Sequence, residues 1–118
     1  MHDARRTAIA ETRRLLDEAR QLRNRLRTCE TTYRRSLREL ERGTAIRTVL
    51  SNAEVGDVRQ SLNDALQQFE QTRHRSRLAI IASGLQEGMT IGELGRSWRF
   101  SRQLASRYAK EARSESGG

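Results

Sequence analysis

The residues best suited to binding chemistry lie together in the stretch TIGELGRSWRFSRQLASRYAKEAR, residues 90–113. The stretch holds six of the 23 basic residues, and it holds Trp98 and Phe100 although aromatic residues make up only 4% of the chain. Guanidinium groups bind phosphates and base edges, while aromatic rings either stack on bases or fill a small core. These types predict either a surface for DNA or the basic end of a packed helical bundle.

Residue types that perform catalysis or bind metals do not form a second cluster. His2, His74 and Cys29 stand far apart in the sequence, so we expect no metal site. A phosphate-binding Gly loop, a coherent Cys/His pair and a carboxylate pair in an implied cleft are all missing from the pattern. We therefore expect no enzyme, no cofactor and no small-molecule substrate.

The formal net charge of +8 favours a polyanionic partner, above all double-stranded DNA. Charged residues make up 32% of the chain, hydrophobic residues 35%, and proline is absent. Arg, Leu, Ala, Glu and Gln dominate and are good helix formers, whereas the β-favouring types never alternate. The predicted fold class is all-α.

The single cysteine rules out an internal disulfide, and no apolar run resembles a signal peptide or a membrane span. We expect a soluble cytoplasmic protein, associated with the nucleoid and not with a membrane.

Apolar residues at spacings of three and four predict one helix over about residues 4–42, with Gly43 as its stop. This stripe consists of Leu15, Ala19, Leu22, Leu26, Cys29, Tyr33, Leu37 and Leu40. A long one-sided helix is not stable alone in water, so the stripe must face another helix.

A second helix is predicted from about residue 52, where Ser51 and Glu54 fit a capping box. Folding it back on the longer first helix gives a helical hairpin over residues 1–72 and leaves part of the stripe uncovered. An uncovered apolar stripe is the usual reason for a homodimer, which we expect here. The predicted dimer and hairpin seam comprises Leu15, Ala19, Leu22, Leu26, Tyr33, Leu37, Leu40, Val58, Leu62, Leu66 and Phe69.

Three short helices are predicted in residues 73–113, followed by a disordered polar tail at 114–118. The first contains RLAIIASGLQEG. The second, IGELGRSW, is opened by a capping box of Thr90 and Glu93, and Ser101 caps the third, RQLASRYAKEAR.

This order of helices resembles the tri-helical helix-turn-helix DNA-binding domain of bacterial and phage regulators and recombinases. Leu94, Gly95 and Trp98 match the apolar, small and apolar places of its second helix. Phe100 matches the apolar residue after the turn, but Arg99 stands where the family prefers Gly. Inward places of the third helix are matched by Ala105 and Tyr108.

The resemblance implies that the last helix enters the major groove and reads base edges. The base-contacting residues it implies are Ser101, Arg102, Gln103, Ser106 and Arg107. The residues expected to contact phosphates are Thr90, Arg96, Arg99, Lys110, Arg75 and Arg77. Trp98, Phe100 and Tyr108 are expected in the core of this small domain, which needs large apolar side chains to be stable.

The sequence thus predicts a homodimeric, sequence-specific DNA-binding protein, a transcriptional regulator. Two alternatives stay open: an architectural, nucleoid-associated protein with weak sequence preference, and a coiled-coil interaction module that does not bind DNA.

Overall fold

The computed structural model describes residues 2–117, with side chains for residues 3–115. It contains the helices α1 (His2–Glu41), α2 (Ile46–Asn52), α3 (Val55–Gln86), α4 (Ile91–Trp98) and α5 (Arg102–Gly117). No strand occurs in residues 2–117, so the predicted all-α class is confirmed. None of these helices is both long and apolar enough to cross a membrane.

The first predicted helix is confirmed as α1, which ends close to the expected stop. Gly43 adopts a φ of 82°, a left-handed conformation that glycine reaches without steric cost. The Thr44 N–H donates to the Glu39 carbonyl at 3.0 Å, and the Gly43 N–H donates to the Leu40 carbonyl at 3.0 Å. This pair of bonds satisfies carbonyls that the last turn would otherwise leave unpaired.

The predicted capping box at Ser51 is wrong. Ser51 lies inside α2, and its carbonyl accepts a hydrogen bond from the Glu54 N–H at 3.2 Å. Glu54 has a φ of 48°, and its carbonyl accepts from Asp57 and Val58 at the start of α3. A short helix and a left-handed residue therefore make the connection that the sequence assigned to a capped helix start.

The expected helix break near residue 73 is also wrong, because α3 continues without interruption to Gln86. The segment RHRSR at 73–77 contains neither Gly nor Pro. Arginine is a good helix former, so charge alone does not end a helix. The segment predicted as the first short helix of a small domain is the C-terminal part of a 32-residue helix.

At the other end, α5 includes residues 114–117, which the sequence assigned to a disordered tail. Ala112, in the turn that precedes residues 114–117, is 2% exposed and belongs to the buried core. Gly118, the last residue of that tail, lies outside the described residues.

The chain forms two compact units. We call one the terminal unit; it comprises the described residues up to Leu16 together with those from Gln71 onward. The other, Asp17–Glu70, is the middle unit.

The core of the terminal unit is built by α3, α4 and α5. Its buried members are Leu78, Ile81, Leu94, Ala109 and Ala112, with Ala82, Leu85, Met89, Ile91, Trp98 and Tyr108 packed against them.

The first turns of α1 contact α3 within this terminal unit. The Thr12 and Ser76 hydroxyls lie 3.1 Å apart, Arg5 pairs with Glu87, and an Arg75 nitrogen lies 3.6 Å from a Glu11 oxygen. Early residues of α1 meet late residues of α3, so the two segments run in opposite directions.

The middle unit buries few side chains. Cys29 and Val49 are its buried apolar residues, and the Asn52 amide donates to Glu39 at 3.1 Å. Half-buried members of the predicted seam in this unit are Ala19, Leu22, Val58, Leu62 and Phe69; Leu15, in the terminal unit, is half-buried as well.

The remaining members of the seam are exposed: Leu26, Tyr33, Leu37, Leu40 and Leu66. The pKa of the Tyr33 phenol is raised above its ordinary value, first by a hydrogen bond to the Cys29 side chain one turn earlier. The predicted apolar stripe along α1 is thus half-buried up to Leu22 and exposed from Leu26 onward, except for buried Cys29.

Candidate nucleic-acid interface

The start of α4 is fixed by a reciprocal pair of hydrogen bonds. The Glu93 N–H donates to the Thr90 hydroxyl at 3.1 Å, and the Thr90 N–H donates to the Glu93 carboxylate at 3.2 Å. The predicted capping box is therefore confirmed. It satisfies two backbone donors that a helix start would leave unpaired.

Arg99 ends α4 in the left-handed conformation, with φ 59° and ψ 38°. Its N–H donates to the Arg96 carbonyl at 3.2 Å, and the Phe100 N–H donates to the Gly95 carbonyl at 2.8 Å. This is the helix-ending bond pattern that normally carries glycine at its left-handed residue. The chain makes that turn with an arginine, and the Arg99 side chain is exposed.

Gly95 lies where α4 crosses α5 most tightly. A Cβ atom added to Gly95 would lie 3.0 Å from the Ala105 Cβ and 3.7 Å from the Phe100 carbonyl oxygen. Gly95 and Ala105 are both buried, the latter 5% exposed. Two small residues therefore set the close approach of the two helices.

α5 begins at a capped end, because the Leu104 N–H donates to the Ser101 hydroxyl at 3.1 Å. Its inward face carries alanines at positions 105, 109 and 112, all buried. Its outward face carries the five residues for which base contact was predicted, and each of them is exposed: Ser101, Arg102, Gln103, Ser106 and Arg107.

The side chains predicted to contact phosphate are distributed around this face. Thr90 lies at the start of α4, Arg96 and Arg99 at its end, and Lys110 one turn beyond Ser106 on α5; all four are exposed. Residues 90–113 carry six basic residues against Glu93 and Glu111, so the surface is strongly positive. The positive end of the α5 dipole adds to the attraction for anions near Ser101.

The two remaining residues predicted to contact phosphate have partners inside the protein. The exposed Arg75 lies beside Glu11 and donates to the Thr72 hydroxyl at 3.3 Å. Arg77 is half-buried and donates to the Tyr108 hydroxyl at 3.2 Å.

The Arg77 guanidinium also lies over two aromatic rings, 5.5 Å from the Phe100 ring centre and 5.1 Å from that of Tyr108. Trp98 stacks on Phe100, with ring centres 5.9 Å apart. The placement of Trp98 and Tyr108 against the core confirms their predicted packing role. A cation held between rings gains both dispersion and electrostatic attraction, so Arg77 joins α3 to α5.

His74 and Glu111 form a second link between the same helices. The His74 Nε2 lies 2.7 Å from a Glu111 carboxylate oxygen, and its ring meets Tyr108 edge-on at 5.5 Å. Neither this link nor the Arg77 contact could be read from the sequence, because the partners are 31 or more residues apart. Among residues 2–117, no cluster of three His, Cys, Asp or Glu side chains could hold a metal ion.

Comparison with protein-family models, with curated proteins and with solved structures found no match to this chain.

Proposed function

We propose that this chain is a homodimeric, sequence-specific DNA-binding protein, a transcriptional regulator without catalytic activity. The C-terminal part of α3, with α4 and α5, acts as a helix-turn-helix domain, and the helical hairpin provides dimerisation. The first two turns of α5 enter the major groove, which at ~12 Å wide admits one helix. Such a protein works in the cytoplasm, bound to the nucleoid.

The observation that carries the proposal is the division of α5 into two faces. One face packs through buried alanines together with half-buried Tyr108, while the other exposes Arg102, Gln103 and Arg107 in the first two turns after a capped helix start. Arginine pairs with guanine O6 and N7, and glutamine with adenine N6 and N7. The Arg99 turn supports the same reading, because it has the backbone shape that a helix-turn-helix requires at that place.

The test is a selection of bound fragments from random DNA with the full-length protein, followed by affinity measurements on the selected sites. Arg102→Ala is expected to cost about 1–3 kcal/mol on the preferred site and to relax the preference at one base position. Lys110→Ala is the matched control, because it removes an exposed charge from the same helix. It should weaken all sequences alike and lower the slope of log affinity against log salt by ~1.

An Arg102→Ala protein with unchanged affinity and unchanged sequence preference would contradict the assignment of α5. If the selection enriches no sequence while binding falls steeply with salt, the architectural alternative is supported instead. If no DNA is bound at moderate salt, the chain is an interaction module.

A further inference from the structure

The middle unit exposes an apolar stripe on α1 that no residue of the unit covers fully. Leu26, Tyr33, Leu37 and Leu40 are between 43% and 55% exposed. At about 100° per residue, the four positions fall within about 60° of the helix circumference. They form one continuous face beside buried Cys29, and we call them the α1 stripe.

Charged residues line one flank of the α1 stripe in an ordered pattern. Arg23, Glu30, Arg34 and Glu41 are exposed and lie within about 40° of one another around the helix. Their signs alternate along the chain, and their spacings are symmetric about residue 32. Reversing the direction of the helix therefore places each charge opposite one of the other sign.

This symmetry indicates that the partner of α1 is a second copy of α1 running in the opposite direction. When a second α1 runs antiparallel about residue 32, Arg23 of one copy lies opposite Glu41 of the other, and Glu30 lies opposite Arg34. In a two-fold symmetric parallel pair, this flank of one copy would face the opposite flank of the other, so these four residues would not meet. A pattern that complements itself favours a second copy of this chain as the partner.

The positions of the apolar residues are consistent with the same antiparallel arrangement about residue 32. Leu26 of one copy lies opposite position 38 of the other, between Leu37 and Leu40, and the two Tyr33 residues lie side by side. Glu30 and Arg34 already pair within one helix at 3.3 Å, so the two copies bring four alternating charges together at the centre.

We propose that the α1 stripe is the self-association surface of the chain, with two copies of α1 paired antiparallel about a two-fold axis near residue 32. The inference rests on the proposed function for the expectation of a dimer. It is tested without DNA, so failure of self-association and failure of DNA binding are distinguishable.

The first experiment measures the mass of the full-length protein by sedimentation over a range of concentrations. Wild type is expected to reach twice the chain mass, and Leu37→Glu is expected to raise the dissociation constant of the dimer by about tenfold or more, because it places a charge in the apolar centre. Leu16→Glu is the matched control, since Leu16 is 52% exposed on the same helix but precedes the paired span. A monomeric wild type, or equal weakening by both variants, would overturn the proposal.

The second experiment tests direction by reversing charges. Arg23→Glu and Glu41→Arg should each weaken self-association roughly tenfold at low salt, since each reversal acts twice in a symmetric dimer. The two positions are 18 residues apart, about 27 Å along the helix, so they cannot pair within one chain. Only an antiparallel partner brings them together.

Mixing the two single variants provides the decisive readout. Every reversed charge then finds an opposite charge in the mixed dimer, so mixed dimers should exceed both homodimers, and the double variant should recover wild-type affinity. Absence of both effects would exclude the antiparallel arrangement. All substitutions lie at exposed positions, and far-UV circular dichroism checks that helix content is retained.

Discussion

At Arg99 the left-handed backbone favours glycine, whereas the positive surface at the end of α4 favours a charged side chain. Its left-handed backbone, with φ 59°, costs a residue with a Cβ atom about 1–2 kcal/mol relative to its preferred conformations. Its exposed guanidinium extends the positive surface at the end of α4. Glycine would relieve the strain and remove the charge, so an arginine here costs stability and is expected to serve the proposed DNA binding.

Arg99→Gly is therefore expected to raise the free energy of unfolding by up to ~1 kcal/mol, because relief of strain exceeds the entropy that glycine adds to the unfolded chain. The same change should weaken DNA binding. Urea unfolding and a binding titration measure the two effects. Arg99→Ala is the control, since it removes the charge and keeps the strain. If Arg99→Gly lowers the free energy of unfolding, the turn is not strained.

At the scale of helices, three of the four predicted helix start and stop signals are confirmed, and the capping box at Ser51 is the one that is wrong. Gly43, Thr90 with Glu93, and Ser101 end or begin helices through bonds to neighbours three to five residues away, and all three were predicted. α3 continues through residues 73–77, whereas the hairpin was predicted to end at residue 72 and a separate short helix to begin after it. Contacts made by the folded chain, such as Arg77 over the Tyr108 ring, hold this segment against α5 and are not visible in its local sequence.

The exposure of the candidate site residues was predictable to the same extent. The exposed face of α5 follows from the periodicity of its alanines, and the structure exposes all five residues assigned to it. The internal partners of Arg75 and Arg77 depend on tertiary packing, which local spacing does not contain. The expectation that both contact phosphate stays a prediction.

Because α4 contacts α5 closely at only one of its glycines, we expect a methyl group added at Gly95 or at Gly92 to have opposite effects on the free energy of unfolding. Gly95→Ala should lower the free energy of unfolding by about 1–3 kcal/mol, because the new methyl group meets the Ala105 Cβ, which can move only with its helix. Gly92→Ala should raise it by about 0.5–1 kcal/mol, since a Cβ there meets only the flexible end of Arg96 at 3.4 Å and the Thr90 hydroxyl at 3.8 Å.

Thermal or urea unfolding of the two variants, compared with wild type, measures this difference. Both changes add one methyl group to α4 and leave the charge unchanged. The comparison therefore separates the effect of helix propensity on the free energy of unfolding from the effect of packing. A stabilising Gly95→Ala would mean that α4 and α5 do not approach as closely as 3.0 Å implies.

For the whole molecule, charge is unevenly distributed along the chain. Residues 51–72 hold four acids against Arg59, while the segments on both sides are net basic. An acidic segment is poorly suited to phosphate, so the proposed DNA contact is expected in the basic segments. The proposed dimer, with two α5 helices, is then expected to bind best to a DNA site with two half-sites.

Dimerisation should therefore act on DNA affinity only through the number of half-sites engaged. Leu37→Glu is expected to lower affinity for a selected two-half-site DNA by about 10²-fold or more, because the second contact ceases to be intramolecular. Affinity for a single half-site should stay within about twofold of wild type, because α5 is unchanged. Arg102→Ala should weaken both DNAs. Equal loss on both DNAs for Leu37→Glu would indicate instead that α1 contacts DNA directly, and its salt dependence would identify those contacts as phosphates.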